Sequence, residues 1–440
     1  MQLAYKAYCF LSSGIFLTFF PLFWFYTRVT GRYRNSLSQR LGLYSDKIIE
    51  GIDGFPRIWL HAASVGEVGA AVSIIESLYD LMPDCAIILS TTTEQGQAWA
   101  RNRLGSTATC IYAPIDFVLS ARKALRTIKP DILVCLETEI WPNWLLEAWR
   151  MGIKTALVNG RISVRSIKGY VKIRPLIKEI LRHINGFSMI SETDAQRIIM
   201  MGAPPEGVEI NGNAKYDLLM QQANASSVTR MRKLFSLKDG EPVFVAGSTR
   251  TSEEEIVLDV YEKIIRSCPD VLLIIAPRHL KRVYHIKALV EARGFTCQLR
   301  SRLGPRNDLR TAPVVIMDTI GDLRDTYSIA SVVFCGGSLV PKGGQNILEP
   351  AVWGKPVLYG PSMEDFLDAK ELLEKTGGGI QVNDGEELAQ KALYLFTHPD
   401  EAGRIGKLAQ KAVRSNQGAA DKHAGVIYRI LNTMKKTSNC

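Results

Sequence analysis

The feature that most constrains this chain is a repeated alternation. From about residue 57, short apolar runs follow one another with helix-period stretches between them. RIWLHAAS, AIILSTTT, CIYAPID, DILVCLET, TALVNG and GFSMIS are each continuously apolar, as parallel strands covered on both faces must be. AAVSIIESLYDLM and EQGQAWARNRLG, lying between them, carry helical period. The pattern breaks at KYDLLMQQANASSVTRMRKLFSLK, residues 215–238, which is polar, helical and strandless. It resumes with PVFVAGS, VLLIIAPRH, VVIMDT, SVVFCGGS and PVLYGP, and the chain turns helical and basic from about residue 385. Two blocks of alternating strands and helices predict two doubly wound α/β domains, and two such domains imply a cleft between them. A length of 440 residues suits that division. The expected segments are 1–30, an amino-terminal anchor; 31–217, the first domain; 218–238, a linker; 239–425, the second domain; and 426–440, a tail.

The anchor expectation rests on residues 7–26, AYCFLSSGIFLTFFPLFWFY, 20 residues without a charge. That length suffices for a transmembrane helix. Arg28, Arg32, Arg34 and Arg40 follow it, against Lys6 before it. The positive-inside rule then places everything after residue 28 in the cytoplasm. A cleaved signal peptide fits less well, because the charge would precede the apolar region. Pro21 leaves a second geometry open, a segment lying in the membrane interface.

Composition excludes several classes. The eight cysteines form no CxxC pair, and several sit in apolar runs, so they read as reduced thiols in a reducing compartment. The six histidines show no HxxxH spacing, and no metal site is expected. The net charge of +10 suits nucleic acid, a membrane surface or an anionic substrate. The basic residues are dispersed, with no basic tail, so no nucleic-acid partner is expected. Arg32 and Arg34, beside the anchor, fit an anionic lipid surface.

Ligands of parallel sheets bind beyond the carboxyl ends of the strands, which directs attention to the residues after each apolar run. HAASVGEVGAA puts Ser64, Gly66 and Glu67 at a helix start, where an acid also complements the helix dipole. Glu137 and Glu139 in ETEIWPN, and Asn159, Arg161 and Ser163 in NGRIS, follow two further strands. In the second block, Gly247, Ser248 and Thr249 form a small-residue turn suited to an anion. Pro277, Arg278 and His279 follow a buried strand, where an arginine suits phosphate or carboxylate. VVFCGGSLVPKGGQNILEP supplies Gly336, Gly337 and Ser338, then Gly343 and Gly344, then a helix opening at Asn346 to Glu349. Glycines there let backbone approach a ligand closely.

QRLGLY (39–44), SVGE (64–67), ETEIWPN (137–143), NGRIS (159–163), PRH (277–279), GGSLV (336–340) and GGQNILEP (343–350) fall in one family's order and spacing. From about residue 30 to 420 the chain resembles the 3-deoxy-D-manno-octulosonic acid (Kdo) transferases of Gram-negative bacteria. The resemblance implies the GT-B fold, two facing Rossmann-like domains with a central cleft, behind an amino-terminal membrane anchor. It implies transfer of Kdo from CMP-Kdo to lipid A precursor (lipid IVA) in lipopolysaccharide biosynthesis. No cofactor and no metal are implied, and the location is the bacterial inner membrane, single-pass, with the catalytic domains on the cytoplasmic side. Glu67 matches the acid regarded as the general base. Pro277 and Arg278, then Ile320, Gly321 and Asp322, then Asn346, Ile347, Leu348 and Glu349 match the segments that hold CMP. The family often carries His where this chain has Gln345, so no imidazole role transfers there. The expected chemistry is direct displacement with inversion. Glu67 is expected to be kept ionised, and made less basic, by the helix start. The rival readings are a GT-B enzyme using a UDP-sugar, an epimerase, and a membrane-anchored scaffold without catalysis.

Overall fold

The computed structural model describes residues 2–31, 33–34, 36–162, 167, 169–170, 173–304 and 308–437. Arg32 and Ser163, singled out above, lie outside them. The helices used below are α1 (Gln2–Thr30), α2 (Val65–Leu81), α3 (Glu94–Leu104), α4 (Pro142–Arg150), α5 (Glu253–Ile265) and α6 (Ala419–Thr437). Contacts divide the chain into two compact units, Met1–Leu218 with Asn416–Cys440, and Leu219–Ser415.

The first unit holds seven parallel strands: β1 (Arg57–His61), β2 (Ala86–Thr91), β3 (Thr109–Tyr112), β4 (Ile132–Leu136), β5 (Lys154–Gly160), β6 (Gly186–Met189) and β7 (Val208–Ile210). Their spatial order is β3-β2-β1-β4-β5-β6-β7. The central strands are wholly buried, which is why they read as unbroken apolar runs. The order reverses between β1 and β4, and a crevice opens at such a reversal. Glu67 and the ETEIWPN segment leave those two strands.

The second unit repeats the design with β8 (Val243–Thr249), β9 (Leu272–Pro277), β10 (Cys297–Leu299), β11 (Val314–Ile316), β12 (Val332–Cys335), β13 (Val357–Tyr359) and β14 (Gly379–Gln381). Its order is β10-β11-β9-β8-β12-β13-β14, all parallel, with the reversal between β8 and β12. The GSTR and GGS turns leave those strands.

Helix α1 is long and apolar enough to cross a membrane, with a mean hydropathy of 1.6 over Tyr5–Thr30. One stripe of it packs on the first unit. Tyr5 Oη donates to Asn143 Oδ1 (3.2 Å) and Glu147 Oε1 (3.3 Å) on α4, and Tyr8 Oη donates to Asp116 Oδ2 (2.7 Å). Phe16 stacks on Phe117 at 4.3 Å between ring centroids, and Phe23 lies 5.9 Å from Tyr33.

Residues 215–238 form helices Lys215–Gln222 and Ala225–Leu234, in keeping with their helical, strandless reading. One segment differs from the expected boundaries. The chain end does not stay with the second domain. Helix α6 returns to the first unit, burying Ala420, Ala424, Ile427 and Leu431 in the core that includes α2. Asp217 receives the Gly418 and Ala420 amides at 2.7 and 2.9 Å, satisfying donors at the start of α6. His423 is fully buried. Its Nδ1 lies 2.6 Å from Ser188 Oγ, and its Nε2 lies 3.0 Å from the Gly212 carbonyl. A carbonyl only accepts, so Nε2 carries the proton of the neutral ring. Burial pushes the His423 pKa down to about 4.

That depression makes stability pH-dependent. The unfolded histidine takes up a proton below pH about 6.5 while the folded one stays neutral. Stability is therefore fully present above pH 6.5 and falls as pH drops towards about 4. Urea unfolding at pH 5 should show a loss of about 2 kcal/mol relative to pH 7 from this group. His423→Gln should remove that part of the pH dependence.

Candidate functional site

The first unit's site begins where β1 runs into α2. Ser64 is extended (φ −125°, ψ 168°) and precedes the first turn, so Glu67 stands in that turn and folds back over the entering chain. The Ala63 amide donates to Glu67 Oε2 at 2.8 Å, and the Ser64 hydroxyl donates to Oε1 at 2.9 Å. Glu67 thus fastens the chain that enters the helix, while Ser64 makes no side-chain capping bond of its own. The expected electrostatics are not found. Burial pushes the Glu67 pKa above the ordinary carboxylate range, against the Ala63 amide, and the charges of Glu137 and Glu139 push it further. Burial and the two neighbouring acids outweigh the lowering by the Ala63 amide and the Ser64 hydroxyl, so Glu67 is more basic than an ordinary carboxylate rather than less.

Those acids are fixed by different partners. Glu137 adopts a left-handed backbone (φ 52°) and pairs with Lys215 Nζ at 2.5 Å. Glu139 Oε2 accepts from Trp141 Nε1 at 2.7 Å and lies 3.4 Å from His61 Nε2. Burial opposes ionisation of Glu139, but His61 and Trp141 outweigh it and hold its pKa below the usual range. Neighbouring carboxyls are thus driven apart, Glu67 up and Glu139 down, the pattern by which one site separates a base from a fixed charge. Ser64 and Gly66 join this group through the turn. Arg161 meets it through its backbone, its carbonyl accepting from Thr138 Oγ1 at 2.5 Å.

In the second unit the loops after β8, β9, β11 and β12 gather at one sheet edge. Arg278 is exposed at the end of β9, its amide bonded to the Thr249 carbonyl (3.0 Å), and Pro277 ends the strand. Arg250 Nη1 lies 2.7 Å from His279 Nε2. Desolvation and the charges of Arg250, Lys281, Arg278 and Arg282 lower the His279 pKa, which marks the edge as cationic. Ile320 and Gly321 project into solvent, and Asp322 is held by Thr319 (2.6 Å) and Arg300 (3.1 Å). Asn346 Oδ1 accepts from the Leu348 amide (3.2 Å), opening the short helix Leu348–Ala351, and Ile347 and Leu348 are buried beneath it. Glu349 is raised by burial, against Arg324, a hydrogen bond from Asn346, and Arg278. Arg278, Arg324, Asn346 and Glu349 therefore form one cluster, suited to a phosphate and to hydroxyls.

The GGS loop departs from its expected role. The Gly337, Ser338 and Leu339 amides do not wait for a ligand. Together with the Arg250 amide they all donate to the fully buried Glu253 carboxylate, at 2.6 to 3.0 Å. A Cβ on Gly336 would stand 2.6 Å from Thr249 Cα, so its close approach is to its own chain. Ser338 is fully buried, donating to the Cys335 carbonyl and accepting from the Gly360 amide. Ser248, with φ 56°, is a left-handed turn residue at the end of β8. Gly336, Gly337, Ser338 and Ser248 build the loop from within.

Sequence reading missed His61, Lys215, Arg250, Glu253 and Arg324. Arg250 and Glu253 had a signal, as both directly follow the β8 turn. His61, Lys215 and Arg324 depend on contacts distant in sequence.

Two Rossmann-like units in one chain, each with polar residues at its strand reversal, define the GT-B class. The crystal structure of a UDP-GlcNAc 2-epimerase from Neisseria meningitidis shares this fold. Its TM-score is 0.61 at 13% identity, covering 86% of this chain and 100% of that one. Residues 35–218 match the 3-deoxy-D-manno-octulosonic-acid transferase (kdotransferase) family. A 3-deoxy-D-manno-octulosonic acid transferase of Rickettsia felis is 30% identical over 378 residues, 85% of this chain and 79% of that protein. A bifunctional glycosyltransferase/methyltransferase of Fusobacterium nucleatum is 36% identical over 336 residues, 76% of this chain, which spans about half (51%) of that longer protein. The chain belongs to the Kdo transferase family of glycosyltransferases.

Removing the Glu253 carboxylate leaves four amides without it. Glu253→Ala should lower stability by at least about 4 kcal/mol in urea unfolding, since four buried donors are left unpaired at about 1–3 kcal/mol each.

Proposed function

We propose that this chain transfers Kdo from CMP-Kdo to the lipid A precursor (lipid IVA) in lipopolysaccharide biosynthesis, with Glu67 as general base. The observation that carries the reading is the Glu67 carboxylate itself. It sits at the strand reversal, bound by one amide and one hydroxyl and raised in pKa by burial. A sugar hydroxyl is a weak nucleophile while protonated. As its oxygen bonds to the anomeric carbon of Kdo, Glu67 takes the proton, and a raised pKa makes that transfer more favourable. The bond from the anomeric carbon to the phosphate oxygen breaks, and CMP departs with the electron pair. A single displacement inverts that carbon. Arg278, with Arg324 and Arg250 nearby, meets the charge on the leaving phosphate, so the transfer needs no metal. Lys215 and His61 hold Glu137 and Glu139 in place beside the base. The Rickettsia felis relative, a Kdo transferase by name, supports the donor sugar. Helix α1 attaches the protein to the inner membrane, with both units on the cytoplasmic side, where the acceptor's head group is reached.

Mass spectrometry of lipid A precursor incubated with the chain and freshly made CMP-Kdo tests the reaction. One or more added Kdo residues are expected, and no addition by folded protein overturns the reading. Glu67→Gln should stay folded and lose about 10²–10⁴-fold in turnover, the usual worth of a positioned base. The acidic limb of the wild-type rate profile should lie above the ordinary carboxylate range, because the base must be ionised. Arg278→Ala should raise the KM for CMP-Kdo and leave the acceptor KM unchanged.

A further inference from the structure

Helix α1 touches the first unit along its length. Tyr5, Cys9, Ser12, Phe16, Phe20, Phe23 and Thr27, with Tyr8 and Ser13 beside them, are its less exposed positions, and they lie along one face of the helix. Polar contacts lie at its start, with Cys9 Sγ donating to Asn143 Oδ1 at 3.3 Å and Arg150 over the Tyr5 ring at 4.6 Å. Phe16 on Phe117 and Phe23 near Tyr33 continue the contact. From Tyr5 to Phe23 the helix rises about 27 Å, close to the thickness of a hydrocarbon core. If α1 crossed the bilayer in this arrangement, Asp116, Glu147 and Arg150 would have to enter the membrane beside it. The opposite face is open and apolar. Phe10 is 81% exposed, Leu17 66% and Phe25 64%.

Beside Phe23 lies a cavity of about 620 Å³. Phe23, Tyr33 and Ile115 give it an apolar wall, and Thr92, Gln95 and Arg40 a polar one. Arg40 is locked in place. It donates to the Thr92 carbonyl at 2.6 Å and to Ser36 Oγ at 3.1 Å, and it lies over the rings of Tyr33 and Tyr112. Glu94 also lines the cavity, so the charge of Arg40 is opposed. Aromatic faces, hydroxyl and amide partners and balanced charge suit a sugar ring better than a bare phosphate. The wall of the cavity is joined to the base through the main chain of Ala63. The Thr92 and Thr93 amides donate to the Ala63 carbonyl at 3.1 and 3.2 Å, and the Ala63 amide donates to Glu67.

We propose that α1 lies in the plane of the membrane surface, and that the cavity at Phe23, Tyr33, Arg40, Thr92 and Gln95 is the port through which a glycolipid's head-group sugar passes from the bilayer to Glu67. This rests on the acceptor reading above and adds its route. The apolar face of α1 enters the lipid, and the acyl chains of the acceptor stay beside it while the sugar leaves the bilayer.

The test uses the full chain in nanodiscs of phosphatidylethanolamine and phosphatidylglycerol. A lipid A precursor carrying a diazirine on its sugar should label peptides spanning 23–40 and 92–115, and unlabelled precursor should compete. Labelling only elsewhere overturns the port. A coumarin amino acid at Leu17 should be quenched by lipids brominated near the head group, and stronger quenching by lipids brominated near the chain ends overturns the in-plane helix. Gln95→Ala and Thr92→Val should raise the acceptor KM about tenfold with kcat and the CMP-Kdo KM unchanged, and an unchanged acceptor KM counts against the port. The two readings fail separately. Transfer of Kdo by the wild type without labelling at the cavity overturns the port alone. Labelling at the cavity without Kdo transfer overturns the proposed reaction and leaves a glycolipid site.

Discussion

Everything in this protein follows from the cost of a parallel strand. Such strands cannot be joined by a hairpin, so each must return over the sheet before the next begins. The returning helices cover both faces, and the sheet becomes wholly apolar inside. Every turn of one sense is then forced to the same edge. Polar chemistry has nowhere else to collect, and the reversal of strand order opens the place where it does. Glu67 and Glu139 in one unit, and Arg278 and Glu349 in the other, are neighbours for this reason and not because they are close in sequence.

Two carboxylates show how the same local geometry can be put to opposite ends. Glu67 and Glu253 both follow a strand and a small-residue turn, both stand near a helix start, and burial raises both. Glu253 accepts four backbone amides, which occupy its lone pairs and fix three successive residues of another loop. Glu67 accepts one amide and one hydroxyl, and its neighbours include two more acids. A saturated carboxylate is a fastener. An unsaturated one with a raised pKa is a proton acceptor. The difference lies in the partners, and partners are a property of the fold.

That difference marks the limit of what could be read from residues alone. Ten of the apolar runs became central strands because burial leaves a nearly unbroken apolar record in the chain, and CIYAPID became β3, a half-buried edge strand. β7, β10 and β14 left no such record. VEI, CQL and GIQ are three-residue edge strands, partly exposed, and their pairing comes from the neighbouring strand. The Glu67 turn and the Arg278 strand end were legible because sequence places them at strand ends. The glycines of the GGS loop were legible as close-approach points, but what they approach was not. That the amides of Gly337 and Ser338 belong to Glu253 depends on residues more than eighty positions away. The basicity of Glu67 was misjudged for a similar reason, since the helix dipole is local while the burial of its carboxylate, and then the charges of Glu137 and Glu139 after β4, come from the fold.

The return of α6 has a consequence for how the protein is made. The face of α2 that α6 covers belongs to a unit whose strands are all translated by residue 210. The ribosome must then add some two hundred further residues before the covering helix exists. During that interval the second unit, whose residues run without interruption from 219 to 415, has all it needs to fold. The first unit to emerge is therefore the last to be finished, and its exposed apolar flank is where a nascent-chain chaperone would find the most to hold.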